Sequence, residues 1–344
     1  MTSLVIQIPC YNEEQTIQQT IRDLPTKIKG IDAIIFLLID DGSSDKTIQV
    51  ALQSGVDYIV RHRRNRGLSQ AFMTGITTAL ALGADIIVNT DADNQYPGKY
   101  IPDLVAPILS GSSDIVIGDR QTGTNKHFSF IKQQFEKLGS SVVRYLSETD
   151  TPDAPSGFRA YSRYAALRLH VYNSYSYTLE TIIQAGKERM GISHLAIETN
   201  PTIRPSRLHK GMLNFIWHQA ATIIRTYILY QPLKSFVLLG LPFFGSGIFL
   251  IARFLFFYIN GESDVARHIQ SVSIGGTLLI FGMLSFSLGL LGDAIRANRK
   301  TMEDILVQLR SQSTISTELF TEINGSPVIK NADGINHLPK KQAG

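Results

Sequence analysis

Cysteine is almost absent: Cys10 stands alone in 344 residues, so no internal disulfide can form, and the bulk of the chain is expected to face a reducing compartment. Cys10 itself reads as core. Charge is also scarce, at 18% of residues against 44% hydrophobic, and the apolar residues concentrate beyond position 230. That unevenness points to a membrane part attached to a polar one, and the length suits one sizeable α/β domain with an appendage. Neither GxGxxG nor GxxxxGK[ST] occurs, so dinucleotide and P-loop readings lack their phosphate cradle. The opening MTSLVIQIPCYNEE has no basic or long apolar region and does not read as a signal peptide. No internal repeat is evident.

The formal net charge is +4, and the basic residues fall in three groups: Arg61, Arg63, Arg64 and Arg66; Arg204, Arg207 and Lys210; Arg296, Arg299 and Lys300. Such groups attract phosphates. No nucleic-acid fold signature accompanies them, and two of the three flank the apolar tracts, so membrane lipid rather than nucleic acid is the expected partner.

The first half alternates short Ile- and Val-rich runs with longer amphipathic stretches, the pattern of βαβ units around a mainly parallel sheet. Strands are expected at Leu4–Pro9, Ala33–Ile39, Asp57–Val60, Asp85–Asn89 and Asp114–Ile117, with helices at Glu13–Lys27, Lys46–Gln53, Leu68–Leu82 and Tyr100–Leu109. Polar motifs then fall at strand carboxyl ends, the edge of open α/β sheets where ligands bind.

Ser235–Ala252 is uncharged, the apolar run resumes after Arg253 through Ile259, and Ile269–Gly292 is a second uncharged run. A hydrocarbon core of about 30 Å needs roughly 20 helical residues, so two membrane helices are expected, at 235–259 and 269–292 within a membrane part of 233–292. Arg253 is close enough to Asn260 to snorkel to the far interface. Arg225 and Lys234 precede the first span and Arg296, Arg299 and Lys300 follow the second, while the short loop has Glu262, Asp264 and Arg267. The positive-inside rule then puts both ends in the cytoplasm. Residues 1–210 are read as the α/β domain and 211–232 as an interfacial amphipathic helix containing Phe215, Trp217 and Ile223. Residues 293–312 form an amphipathic helix whose stripe of Met302, Ile305, Leu306 and Leu309 suits the interface or a second subunit of a homo-oligomer. Residues 313–344 are expected to be disordered.

The strongest local signal is Asp91-Ala92-Asp93, just after the apolar strand Asp85–Asn89 and followed by Asn94, Gln95 and Pro97. Two carboxylates at a strand end can share a Mg²⁺ or Mn²⁺ ion, which prefers hard oxygen ligands and leaves positions for phosphate oxygens. Asp40-Asp41-Gly42-Ser43-Ser44-Asp45 gives a second acidic strand end. Capping of the next helix accounts for Asp45 but leaves Asp40 and Asp41 over, and carboxylates there suit nucleoside N–H and ribose hydroxyl donors.

Together Ile8-Pro9-Cys10-Tyr11-Asn12-Glu13-Glu14, Asp40-Asp41-Gly42-Ser43, Asn65-Arg66-Gly67 and Asp91-Ala92-Asp93-Asn94-Gln95 resemble family 2 glycosyltransferases in order and spacing. The resemblance covers roughly residues 3 to 310 and is nearest to the polyprenyl-phosphate glycosyltransferases, a group that includes dolichol-phosphate mannose synthases and bacterial two-span lipid-phosphate glucosyltransferases. It implies a GT-A fold in which Pro9, Tyr11, Glu13, Asp40 and Asp41 border the nucleoside, while Asp91, Asp93 and Gln95 surround the metal and diphosphate. It also implies a place beside the acceptor for Asp153-Ala154-Pro155-Ser156-Gly157-Phe158-Arg159, with Asp153 as base or orienting group. Gly118-Asp119-Arg120 is similar to a segment near the donor sugar, and Arg204-Pro205-Ser206-Arg207 resembles the basic segment over the phosphates, without the Gly that many relatives have before the Ser.

The expected reaction is inverting transfer of a hexose from a nucleotide sugar to a polyprenyl phosphate on the cytoplasmic face of the cell inner membrane. UDP-glucose is the favoured donor and GDP-mannose the runner-up. The only tryptophan lies in Phe215-Ile216-Trp217-His218 rather than in a Gln-x-x-Arg-Trp motif, which disfavours a processive polysaccharide synthase. A non-catalytic scaffold would have no use for Asp91, Asp93 and Gln95, and two spans alone cannot enclose a flippase path.

Overall fold

A computed structural model describes residues 1–121, 144, 147–171, 177–201, 221, 224–225, 227–260, 269–312, 322–323 and 326–330. The chain forms two compact units, Met1–Ile223 with Ile305–Gly344, and Ile224–Asp304.

The first unit is built on strands β1 (Ser3–Cys10), β2 (Ala33–Asp40), β3 (Tyr58–Arg61), β4 (Ile86–Asn89), β5 (Ile115–Asp119), β6 (Arg159–Ser162), β7 (Ile192–Ala196), β8 (Glu322–Ile323) and β9 (Ser326–Lys330). Helices α1 (Ile17–Arg22), α2 (Thr47–Gln53), α3 (Leu68–Ala81), α4 (Ile101–Leu109), α5 (Arg163–Arg168) and α6 (Thr178–Lys187) connect and cover them. The five strands expected from the apolar runs are present with ends moved by one or two residues. α1 is shorter than expected: its first turn is set by the Glu13 carbonyl accepting from Ile17 N–H at 3.0 Å, and Pro25 bars the far end from continuing.

Sheet order is β7-β5-β6-β4-β1-β2-β3-β9-β8. β1 is parallel to β2 and β4, β2 to β3, and β5 to β7, as βαβ patterning predicts. β6 runs antiparallel between β4 and β5, with Arg159 opposite both Asn89 and Ile117. Its amino end therefore lies at its neighbours' carboxyl ends, which brings the Asp153–Phe158 segment to the edge that carries the other polar loops. Leu4, Ile6, Ile8, Leu38, Ile59, Val88, Val116 and Phe158 are buried in the core.

The expectation of a disordered tail over 313–344 fails at β8 and β9. β9 pairs antiparallel with β3, Val60 opposite Val328 and Ile59 opposite Ile329. Two β-branched residues in a row suit a strand, and the outer edge of β3 offers backbone groups that need partners. Before the tail, Arg310 donates to the carbonyls of Leu167 and Leu169, both at 3.2 Å, at the carboxyl end of α5.

The second unit contains α7 (Pro232–Ile259) and most of α8 (Ile269–Gln312). Both are long and apolar enough to cross a membrane, and large side chains such as Leu238, Phe249, Phe281 and Leu291 are exposed along them. Glycines make the two helices approach closely: a Cβ on Gly247 would come within 2.8 Å of the Gly275 carbonyl oxygen, one on Gly282 within 3.0 Å of the Phe244 backbone, and one on Gly292 within 2.7 Å of Pro232. α8 shows no break at 292/293, where the membrane and amphipathic helices were expected to meet. Asp293 with Arg296 at 3.8 Å and Arg299 with Glu303 at 3.5 Å are helix-spaced ion pairs that favour continuation. Arg299 also stacks over Tyr230 at 4.4 Å. The stripe of Met302, Ile305, Leu306 and Leu309 is exposed. Arg204, Arg207, most of the expected interfacial helix at 211–232, and Glu262, Asp264 and Arg267 lie outside the described residues.

Candidate functional site

The loops after β1, β2, β3, β4 and β5 and the loop before β6 share one sheet edge. Those after β1 and β2 are knitted together. Asn12, in the left-handed region at φ +55°, donates its N–H to Ser43 Oγ at 2.8 Å and accepts from Ser44 N–H at 2.9 Å, and Glu13 N–H donates to Thr47 Oγ1 at 2.8 Å. Asparagine tolerates that backbone region better than most residues. Pro9 is buried within β1, Tyr11 is 39% exposed, and the nearly buried Glu13 accepts from Thr16 Oγ1 at 3.0 Å.

Asp40 is fully buried and accepts from Ser43 N–H, with Arg61 Nε at 3.4 Å. Burial raises its carboxyl above the usual range, with the Ser43 bonds and Arg61 opposing. Asp41 receives three donors: Arg66 N–H at 2.8 Å, Gly67 N–H at 2.9 Å and His62 Nδ1 at 2.7 Å. Gly42, at φ +78°, is a position only glycine suits, since a Cβ there would stand 2.7 Å from the Arg64 carbonyl carbon. Burial, with Asp40 and Glu13 nearby, raises the Cys10 thiol well above its ordinary value, so it stays protonated core.

Asp91 and Asp93 follow β4 in a loop with several anchors. Asp93 Oδ1 accepts from Gln95 N–H at 3.1 Å, Thr20 Oγ1 donates to the Ala92 carbonyl at 3.0 Å, and Asn200 donates to the carbonyls of Asn94 and Gln95, both at 2.9 Å. Beneath them Gln7 Nε2 donates to Asn89 Oδ1 at 2.8 Å, and Asn89 Nδ2 donates to the Gly157 carbonyl at 2.8 Å and Tyr177 Oη at 2.9 Å. Space at Gly157 is tight: a Cβ would lie 3.0 Å from Tyr177 Oη and 3.3 Å from Asp91 Oδ1. Burial, then repulsion from Asp93, pushes the Asp91 carboxyl up to about 7, against the pull of Arg120.

Arg120 follows β5. Its Nε and Nη2 donate to Asp153 at 2.8 and 2.9 Å, and its own N–H adds a third bond at 3.0 Å. Asp153 is 2% exposed. Arg159 is fully buried and donates to the carbonyls of Ser156, Thr178 and Ala154 and to Thr181 Oγ1, at 2.7 to 3.0 Å. It clamps the loop that presents Asp153 onto α6.

The structure thus places Tyr11, Glu13, Asp40, Asp41, Asp91, Asp93, Gln95, Arg120 and Asp153 along one edge, with Pro9 inside β1. It adds supports that motif reading did not single out: Gln7, His62, Asn89, Tyr177 and Asn200. Gln7 was detectable as the one polar residue within Leu4–Pro9, and Asn89 as the polar end of Ile86–Asn89. Asn200 carries no such signal. Among the described residues no three His, Cys, Asp or Glu side chains form a metal-holding group. Two crowded carboxylates fit a cation that takes its other ligands from phosphate oxygens and water.

Glycosyl transferase family 2 matches residues 5–169. An uncharacterized protein of Methanocaldococcus jannaschii is 34% identical over 202 residues, 57% of this chain and 81% of its own length. UDP-N-acetylglucosamine–dolichyl-phosphate N-acetylglucosaminyltransferase of Methanococcus voltae is 29% identical over 216 residues, 56% of this chain and 83% of that protein. Undecaprenyl-phosphate 4-deoxy-4-formamido-L-arabinose transferase of Salmonella choleraesuis is 33% identical over 168 residues, 46% and 48% of the two chains. Glucosyl-3-phosphoglycerate synthase of Mycobacterium tuberculosis, solved with Mn²⁺, uridine diphosphate and phosphoglyceric acid, superposes with TM-score 0.53 at 20% identity over 67% of this chain and 78% of that one. The chain belongs to glycosyl transferase family 2 and has the GT-A fold.

Proposed function

We propose that the protein is a membrane enzyme that transfers a hexose, with UDP-glucose as favoured donor, from a nucleotide diphosphate sugar to a polyprenyl phosphate, with inversion at the anomeric carbon. The observation that carries this reading is the convergence at one sheet edge of Asp91 and Asp93 with the Arg120–Asp153 pair. Lipid-phosphate acceptors in the names of two relatives, and the two long apolar helices, support the acceptor class and the membrane setting. The basic flanks of those helices support a cytoplasmic catalytic domain.

Asp91 and Asp93 would hold Mg²⁺ or Mn²⁺, with Gln95 beside them; such an ion neutralises charge on a departing diphosphate. The other steps belong to the chain's own residues. A phosphate monoester is already anionic, with a second pKa of about 6, so the acceptor needs alignment more than deprotonation. Asp153 therefore acts by holding Arg120, whose positive charge stands near Asp91. Arg204 and Arg207 are assigned to phosphate at the membrane side.

Purified protein is incubated with polyprenyl phosphate, Mn²⁺ or Mg²⁺ and a panel of labelled nucleotide sugars. Label from UDP-glucose should enter the lipid fraction and stop doing so when the ion is chelated. Label from GDP-mannose alone would move the donor to the runner-up, and no lipid label from any donor would reject the reading.

A further inference from the structure

Asp41 directly follows β2, and its carboxylate is spent on three donors from the one loop after β3. Oδ1 accepts from Arg66 N–H and faces His62 Nδ1, and Oδ2 accepts from Gly67 N–H. His62, directly after β3, is fully buried, and its second ring nitrogen lies 3.0 Å from Thr74 Oγ1 on α3. With Nδ1 facing a carboxylate, the network places the hydrogen there and leaves Nε2 to accept from Thr74. The loop between them is therefore tied at its start by the His62 ring and at its end by two amides. Its middle rests on Gly42, where no Cβ would fit against Arg64 and Asn65. The side chains of Arg63, Arg64 and Arg66 remain exposed on it.

We propose that Asp41 and His62 form a clasp that fixes the Arg63–Gly67 loop as one wall of the donor site, with His62 as a positioning residue. This rests on reading the edge as a nucleotide-sugar site. Sheet order places the clasp away from the carboxylate pair: β1 and β2 separate β3 from β4, and strands about 4.8 Å apart put the loop on the order of 14 Å from the Asp91–Asp93 loop. The clasp then governs how well donor binds, with little effect on the chemical step.

The test compares His62→Phe, which removes both ring hydrogen bonds, with His62→Asn, whose amide replaces Nδ1. Two quantities are read: hydrogen exchange at the Arg66 and Gly67 amides, and kcat and KM for the nucleotide sugar. His62→Phe should speed exchange at both amides and raise donor KM, each about tenfold, since buried acceptors lose a partner, while kcat stays within about threefold. His62→Asn should restore both toward the parent. Parental exchange in His62→Phe overturns the clasp, and accelerated exchange with parental KM overturns its role as a donor-site wall. Should His62→Phe fail to fold, Thr74→Val, which removes the outer partner of the ring, must also speed exchange or the clasp is wrong. A parent protein that turns over no nucleotide sugar rejects the donor-site reading, while the exchange arm still reports on the clasp alone.

Discussion

Arg120 and Asp153 lie 33 residues apart in sequence and make a paired hydrogen bond, Nε and Nη2 to the two carboxylate oxygens at 2.8 and 2.9 Å. With the Arg120 amide also bound, Asp153 has little freedom to serve as a proton acceptor. If it works through Arg120, the two losses will not add. Asp153→Asn should lower kcat/KM by about 100-fold, on the scale of a broken buried ion pair, and Arg120→Ala by at least as much. The double variant should be no worse than Arg120→Ala. Additive losses in steady-state kinetics would make Asp153 an independent base.

Asp91 offers a pH signature. Its folded-state value of about 7 lies above the ordinary carboxyl range, so the stability it contributes to the metal-free protein is present below about pH 4 and lost as pH rises through 7. Thermal unfolding in detergent without metal should therefore show Asp91→Asn gaining on the parent between pH 5 and 8, as the parent takes on a second crowded negative charge. Saturating Mn²⁺ should reverse the order above pH 7, because bound metal favours the deprotonated carboxylate. A difference between the two proteins that is independent of pH would refute the assignment.

Asp93 is less constrained, accepting from the Gln95 amide at 3.1 Å. Asp93→Asn should leave the unfolding midpoint within about 2 °C of the parent, since a partly exposed polar swap costs little. Lipid-linked product should fall below detection. Near-normal turnover with unchanged metal dependence would remove Asp93 from the site.

Arg207 is assigned to acceptor phosphate on sequence grounds. Lysine keeps its charge but not the planar two-bond fork, so Arg207→Lys should impair transfer partially and Arg207→Ala severely, by roughly 2 to 4 kcal/mol of transition-state stabilisation. If the residue only attracts anionic headgroups, both losses will be small and will vanish in detergent with a short-chain acceptor.

Membrane orientation can be read with an impermeant thiol reagent in intact cells, because the native Cys10 is buried. Cysteines introduced between Asn260 and His268 should label, and one at Ser54 should not. Labelling at Ser54 would invert the topology.

The sequence by itself made the first five strands, the helices between them and the two long apolar helices legible. Short β-branched runs ending in Asp40 and Asn89, separated by amphipathic stretches, sufficed for the parallel core, because alternation of burial and helical spacing are local properties. The two apolar helices were legible for the same reason, as their length is fixed by a rise per residue. Only tertiary structure decided which polar residues support one another. β6 enters antiparallel between β4 and β5, and that single reversal brings Asp153 to Arg120 and Gly157 to Asp91. Arg159, in the segment that the resemblance puts beside the acceptor, is a buried clamp on three backbone carbonyls and Thr181 Oγ1, and His62 and Asn200 hold loops whose partners are distant in sequence. β9 reaches the edge of β3 from the far end of the chain. Local periodicity reports how a segment lies on its neighbours but not which neighbours those are, and hydrogen bonds between loops depend on that second fact.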